Sequence, residues 1–164
     1  MYQTIESFVS EYEHERTLTL NLLTALTDAS LSKEVAPGYR TLGSLAWHLV
    51  PSGGILSPTG LRFETTAEQN APASASEIAL AYEKTSQSLI DAVKKQWTDA
   101  ALQESATIYG QEWTKGFTLA VFLKHEIHHR GQLTILMRQA GLPVSGVYGP
   151  TKEEWAAMGM DSPG

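Results

Sequence analysis

The stretch Lys124-His125-Glu126-Ile127-His128-His129-Arg130-Gly131-Gln132 decides how this chain is read. It lies inside a helical pattern running from about Lys115 to Gln139, capped by Thr114 and stopped by Gly141 with Pro143 just beyond. Three of the chain's five histidines fall in it. At about 100° per residue, His129 lies only about 40° around the helix from His125 and one turn further along, so the two imidazoles point into the same space. Two nitrogen ligands at that spacing can share one metal ion.

Thr118, Val121, Phe122, Gln132 and Leu136 all fall within about 60° of His125, which predicts a core-facing stripe with the histidines at its middle and Leu123 and Arg130 pointing away. Buried imidazoles need partners. A shared ion provides them, and so does hydrogen bonding to carbonyls, water or each other. His128 lies about 60° to the other side of His125 and is an alternative to His129 as ligand, or a residue at the stripe's edge that bonds a neighbour.

Working outward, Ile5, Phe8, Val9, Tyr12, Thr19, Leu22, Leu23 and Leu26 hold a helical period, predicting a first helix over residues 2–27 with His14 on its solvated side. After a connection ending at Pro37-Gly38, Thr41 can cap a short second helix with Leu42, Leu45, Ala46 and Leu49 on its apolar face. His48 lies about 110° from the centre of that face, beside Trp47 and Val50, in a helix expected to be buried all round. On spacing alone, such a lone histidine reads as structural. Residues 51–75 form a long loop rich in Gly, Pro, Ser and Thr, placed to shape a pocket. Ser74 and Glu77 have capping-box spacing and open a third helix through Ile78, Tyr82, Thr85, Leu89, Ala92, Val93 and Gln96, with Lys94 and Lys95 at its end.

Between Trp97 and Thr114 the period is lost, and Leu102, Ile108, Tyr109 and Trp113 suit a covering loop or weak hairpin. No β-alternation is strong enough to announce a sheet. A tail with Gly146-Val147-Tyr148-Gly149-Pro150 leads to a last short helix, Thr151 to Trp155, whose Trp155 is expected to dock on the bundle. The reading is all-α: residues 1–164 form a single four-helix bundle domain with a short C-terminal helix.

Composition narrows the chemistry. With no cysteine, the chain has neither disulfides nor thiolate ligands, so a metal must be held by His, Asp or Glu. The N-terminus lacks a basic region followed by an apolar one, and no apolar run spans a membrane, so the expected location is cytoplasmic. Net charge is −6, with Lys and Arg scattered, which argues against nucleic acid as a partner.

Taken literally, His125-Glu126-Ile127-His128-His129 matches H-E-x-x-H, in which two histidines hold zinc and the glutamate is the general base of a zinc hydrolase. Neither a downstream third ligand nor a strand edge is evident around it. The chain as a whole resembles the DinB/YfiT family of four-helix bundles, which are regarded as metalloenzymes. Three stretches carry the likeness: Arg40-Thr41-Leu42-Gly43-Ser44-Leu45-Ala46-Trp47-His48-Leu49, His125 to Gln132 with the apolar run to Arg138, and Val147-Tyr148-Gly149-Pro150.

The resemblance implies a metal held by one histidine of the second helix and the H-x-x-x-H of the fourth, here His48, His125 and His129. Three imidazoles would leave open positions, the arrangement of a catalytic site. Zinc or nickel is the expected ion, with iron also compatible with imidazole. Gln132 and Glu126 are candidates to orient a ligand. Some relatives transfer low-molecular-weight thiols such as bacillithiol, mycothiol or glutathione, or isomerise thiol-linked substrates. The implied activity is therefore that of a metal-dependent enzyme acting on a small molecule, with a thiol as possible co-substrate. A non-catalytic metal-binding or stress-response module is the alternative, and a homodimer is compatible with a bundle of this size.

Overall fold

Thr4, Thr41, Ser74 and Thr114 each stand one residue before a helix, in extended conformation, and accept the backbone N–H three positions on. Each cap satisfies a donor that the helix would otherwise leave unpaired, a contribution of about 1 kcal/mol. The computed structural model describes residues 1–66 and 70–163. Its helices are α1 (Ile5–Leu23), α2 (Leu42–Leu49), α3 (Ala75–Gln96), α4 (Lys115–Gln139) and α5 (Lys152–Ala157). α4 stops where expected, with Gly141 at φ +73°, a left-handed conformation that glycine adopts without the steric cost of a Cβ. α1 packs on α3 and α4, and α2 packs on α4 and α3, giving an all-α bundle.

Two short strands, β1 (Ser105–Ile108) and β2 (Gln111–Thr114), pair antiparallel with Ser105 opposite Thr114 and Ile108 opposite Gln111. Of the two forms the sequence offered for this segment, covering loop or weak hairpin, the hairpin is the one found, although no strand alternation announced it. Its signal is in the turn rather than the strands: Tyr109 and Gly110 both have positive φ, +52° and +76°, as a two-residue turn that matches strand twist requires. The 51–75 connection begins with a 3-10 helix, Gly54–Thr59, whereas residues 67–69 of that loop lie outside the described residues.

Two apolar clusters fill the bundle. Near one end Phe8, Tyr12, Leu89, Val93 and Leu119 pack together, and near the other Leu22, Leu45, Leu49, Ile78, Leu133 and Met137 do so. Between them in sequence, on α1 and α4, lie buried polar residues, Glu15 and Thr19 facing Glu126 and Arg130. A polar layer thus crosses the bundle between its two greasy ends.

α5 differs from expectation in how it is held. It buries no residue, and Trp155 is only half-buried. Polar contacts tie it down instead: Glu154 accepts from the N–H groups of Gly146 and Thr151, and Arg138 pairs with Glu153 at 2.5 Å.

Candidate metal centre

α2 and α4 pack side by side, and their contact brings the imidazole of His48 against those of His125 and His129. The ring Nε2 atoms converge. His48 Nε2 lies 3.3 Å from His125 Nε2, which lies 3.1 Å from His129 Nε2. All three rings offer a nitrogen within 4.8 Å of the others. Around an ion with metal–nitrogen bonds of about 2.0–2.1 Å, tetrahedral ligands stand about 3.3 Å apart, so the spacing and the all-imidazole donor set fit a divalent transition ion.

The surroundings keep these rings neutral. Partial burial, then the Arg40 guanidinium and the two other imidazoles, hold His48 down to about 4. Burial also lowers His125, with His129, His128 and Arg40 adding to the effect. His129 is lowered by burial against the opposing effect of its bond to Gln132. At neutral pH each ring therefore presents a lone pair, the state a ligand needs.

Gln132 orients one of them. Its side-chain oxygen lies 2.7 Å from His129 Nδ1, so it accepts the Nδ1 hydrogen and leaves Nε2 free to face the other rings. The amide nitrogen of Gln132 lies 3.2 Å from His128 Nε2, and His128 is exposed outside the cluster of three. Glu126 orients none of the histidines. The hydroxyls of Thr19 and Tyr82 donate to its Oε1 at 2.7 and 2.5 Å, and its Oε2 has no hydrogen-bond partner among the described residues. Burial raises the pKa of this carboxyl.

The phase of α4 is a correction. His125 is exposed and His129 half-buried, whereas Leu123 and Arg130, expected outside, are almost fully buried. Thr118 and Leu136 of the expected stripe are buried, but the buried set as a whole, which adds Leu119, Leu123, Glu126, Arg130, Leu133 and Met137, centres about 110° around the helix from His125. Charged residues at 126 and 130 disguise that face, because both find partners inside. Arg130 is 1% exposed, pairs with the Glu15 carboxylate, and donates to the Glu15 carbonyl at 3.0 Å and to the Tyr148 hydroxyl at 2.8 Å. The Tyr148 hydroxyl donates in turn to Glu15 Oε2 at 2.8 Å, so the tail motif locks onto this ion pair. His48 likewise is exposed rather than buried, at the rim where α2 meets α4, while His14 is solvated as expected.

Two cavities flank the three rings. One, of about 310 Å³, lies beside His48, His125 and Glu126, with Val50, Ile55, Val121 and Phe122 in its wall. Tyr109 from the hairpin turn also lines it, so the 97–114 segment contributes to the pocket. The other, of about 520 Å³, lies beside His129 and Gln132 and includes Arg40. Nothing in the spacing of the sequence singled out Arg40. Its cues are its place directly before the cap of α2 and at the head of the stretch that carries the family likeness.

A family model described as the DinB family matches residues 1–162. The chain belongs to the DinB family. It is 46% identical over 165 residues to the uncharacterized protein YrdA of Bacillus subtilis (strain 168), covering 99% of each. A crystal structure of a DinB-like protein from Bacillus cereus ATCC 10987 superposes with a TM-score of 0.87 at 45% identity, over 90% of this chain and 100% of that one. The DinB-like protein YjoA from Bacillus subtilis, 18% identical, shares the fold with a TM-score of 0.68 over 88% of this chain and 99% of that one. The DinB bundle is thus the scaffold that carries the three histidines on α2 and α4. Among its described residues, no helix is long and apolar enough to cross a membrane.

Proposed function

We propose that this protein is a metal-dependent enzyme acting on a small molecule, with the ion held by Nε2 of His48, His125 and His129 and a low-molecular-weight thiol as co-substrate. The observation that carries the reading is the convergence of the three nitrogens, 3.3 and 3.1 Å apart in sequence around the cluster, at the mouth of a cavity. Zinc and nickel are the ions proposed, and iron also suits imidazole. A divalent ion held there supplies Lewis acidity, drawing down the pKa of a water or thiol and polarising a carbonyl.

The chain's own residues have separate tasks. His48, His125 and His129 bind, and Gln132 fixes the ring of His129. Val50, Ile55, Val121 and Phe122 form an apolar wall that limits water on the His125 side. Glu126 lines the same cavity, and its Oε2, buried and without a hydrogen-bond partner among the described residues, would accept a proton or hydrogen bond only from a group that penetrates the cavity wall. Because the chain has no cysteine, a reactive sulfur would come from the co-substrate.

A metal-binding module without catalysis is the second reading. Exposure of His48 and His125 beside a cavity favours an open site over a closed structural one. Cobalt substitution of untagged protein, followed by titration with a thiol such as glutathione, tests the proposal. One cobalt per chain and a thiol-dependent charge-transfer band in the near ultraviolet are expected. An unchanged spectrum at saturating thiol removes the thiol, and failure to take up cobalt removes the metal.

A further inference from the structure

The larger cavity has a graded lining. Leu45 and Leu136, each 2% exposed, form its floor, and Tyr39 and Ile135, 71% and 58% exposed, stand at its rim. His129 and Gln132 join it to the three-histidine cluster. Arg40 is its one positively charged residue. Arg40 is exposed and pairs with no carboxylate among the described residues; Arg16 and Arg62 also have no carboxylate partner, but neither lines this cavity. The Arg40 backbone is pinned: its carbonyl accepts from Val35 N–H at 3.2 Å, and Glu34 and Thr41 form a β-bridge on either side.

A guanidinium beside a site for a dication is electrostatically unfavourable for metal binding. An anion lying near both relieves that repulsion, and an apolar floor with exposed apolar edges selects what the anion carries. We propose that this cavity binds an apolar organic anion, its charged group on the Arg40 guanidinium and its apolar part against Leu45, Leu136 and Ile135. The inference deepens the enzymatic reading above and rests on it for the role of the guest, which is a substrate whose reacting end reaches His129. A neutral or cationic molecule of the same shape gains nothing from Arg40 and is discriminated against.

Calorimetric titration of zinc-loaded protein with hexanesulfonate, 1-hexanol and hexylamine tests this, because a sulfonate is a poor metal ligand and reports on the guanidinium. Hexanesulfonate is expected to bind at least about tenfold more tightly than the alcohol or the amine, the size of one charge-assisted hydrogen bond. Arg40→Met is expected to abolish that preference, and Arg40→Lys to keep part of it. Equal binding of the three probes, no binding of any at millimolar concentration, or a preference that survives Arg40→Met overturns the proposal. Zinc content measured on the same samples separates the two readings. An Arg40-dependent anion preference without zinc defeats the metal reading and leaves the anion site, whereas stoichiometric zinc without the preference does the reverse.

Discussion

Gln132 accepts the Nδ1 hydrogen of His129 at 2.7 Å, one turn along the same helix, and so decides which nitrogen of that ring faces the cluster. Such an outer partner fixes both tautomer and ring angle. Gln132→Leu removes it from an exposed position, so the fold is expected to stay within about 0.5 kcal/mol of the parent while zinc affinity falls about 10- to 100-fold. Competition against a chromophoric chelator measures this. Unchanged affinity would show that the ring needs no such support.

His48 gives the metal-free protein a pH signature. With its folded value near 4 against an ordinary 6.5, the unfolded chain takes the proton first as pH falls. Stability is therefore expected to decline from about pH 6.5 to about pH 4 on this group's account and to level off below. Glu126 acts in the opposite sense: burial raises its pKa, so its contribution is present at low pH and is lost as pH rises through its folded value. Proton NMR of the His48 ring should give a midpoint near 4. A midpoint near the ordinary histidine value would mean that its surroundings do not disfavour the charged form.

The Arg130–Glu15 pair crosses from α4 to α1 with both side chains almost fully buried. Removing one member strands a charge, so Arg130→Met or Glu15→Met alone is expected to cost about 3–5 kcal/mol in urea unfolding. Replacing both together is expected to recover most of that loss, because two apolar chains of similar volume leave no charge behind. A double variant as unstable as either single one contradicts this.

Thr19 and Tyr82 both donate to Glu126 Oε1. Glu126→Ala leaves two buried hydroxyls without their acceptor, an expected loss of about 1–3 kcal/mol for each. Glu126→Gln keeps an acceptor oxygen and removes a charge that burial disfavours, so it is expected to cost less than about 1 kcal/mol at pH 7. Equal losses in the two variants would show that the carboxylate charge, not the acceptor oxygen, governs the position.

The bundle was legible because its signals are local. Thr41, Ser74 and Thr114 announce their helices through single hydrogen bonds, and Gly141 ends α4 by its backbone angle. The pairing of His125 with His129 follows from helix geometry alone. The meeting of His48 with them does not, since it depends on how α2 lies against α4, and only family likeness pointed to it. The inward face of α4 was hidden because Glu126 and Arg130 look like surface residues until Thr19, Tyr82 and Glu15 supply their partners. Arg40 was hidden because its place in one cavity with His129 and Gln132 depends on how the segment before α2 lies against α4, which no spacing reveals.

Elemental analysis of untagged protein, beside His48→Ala, His125→Ala and His129→Ala, bears most directly on the three-histidine centre. About one zinc or nickel per chain is expected in the parent, with most of it lost in each variant. Metal content that is absent from the parent, or the same in all four proteins, would contradict it.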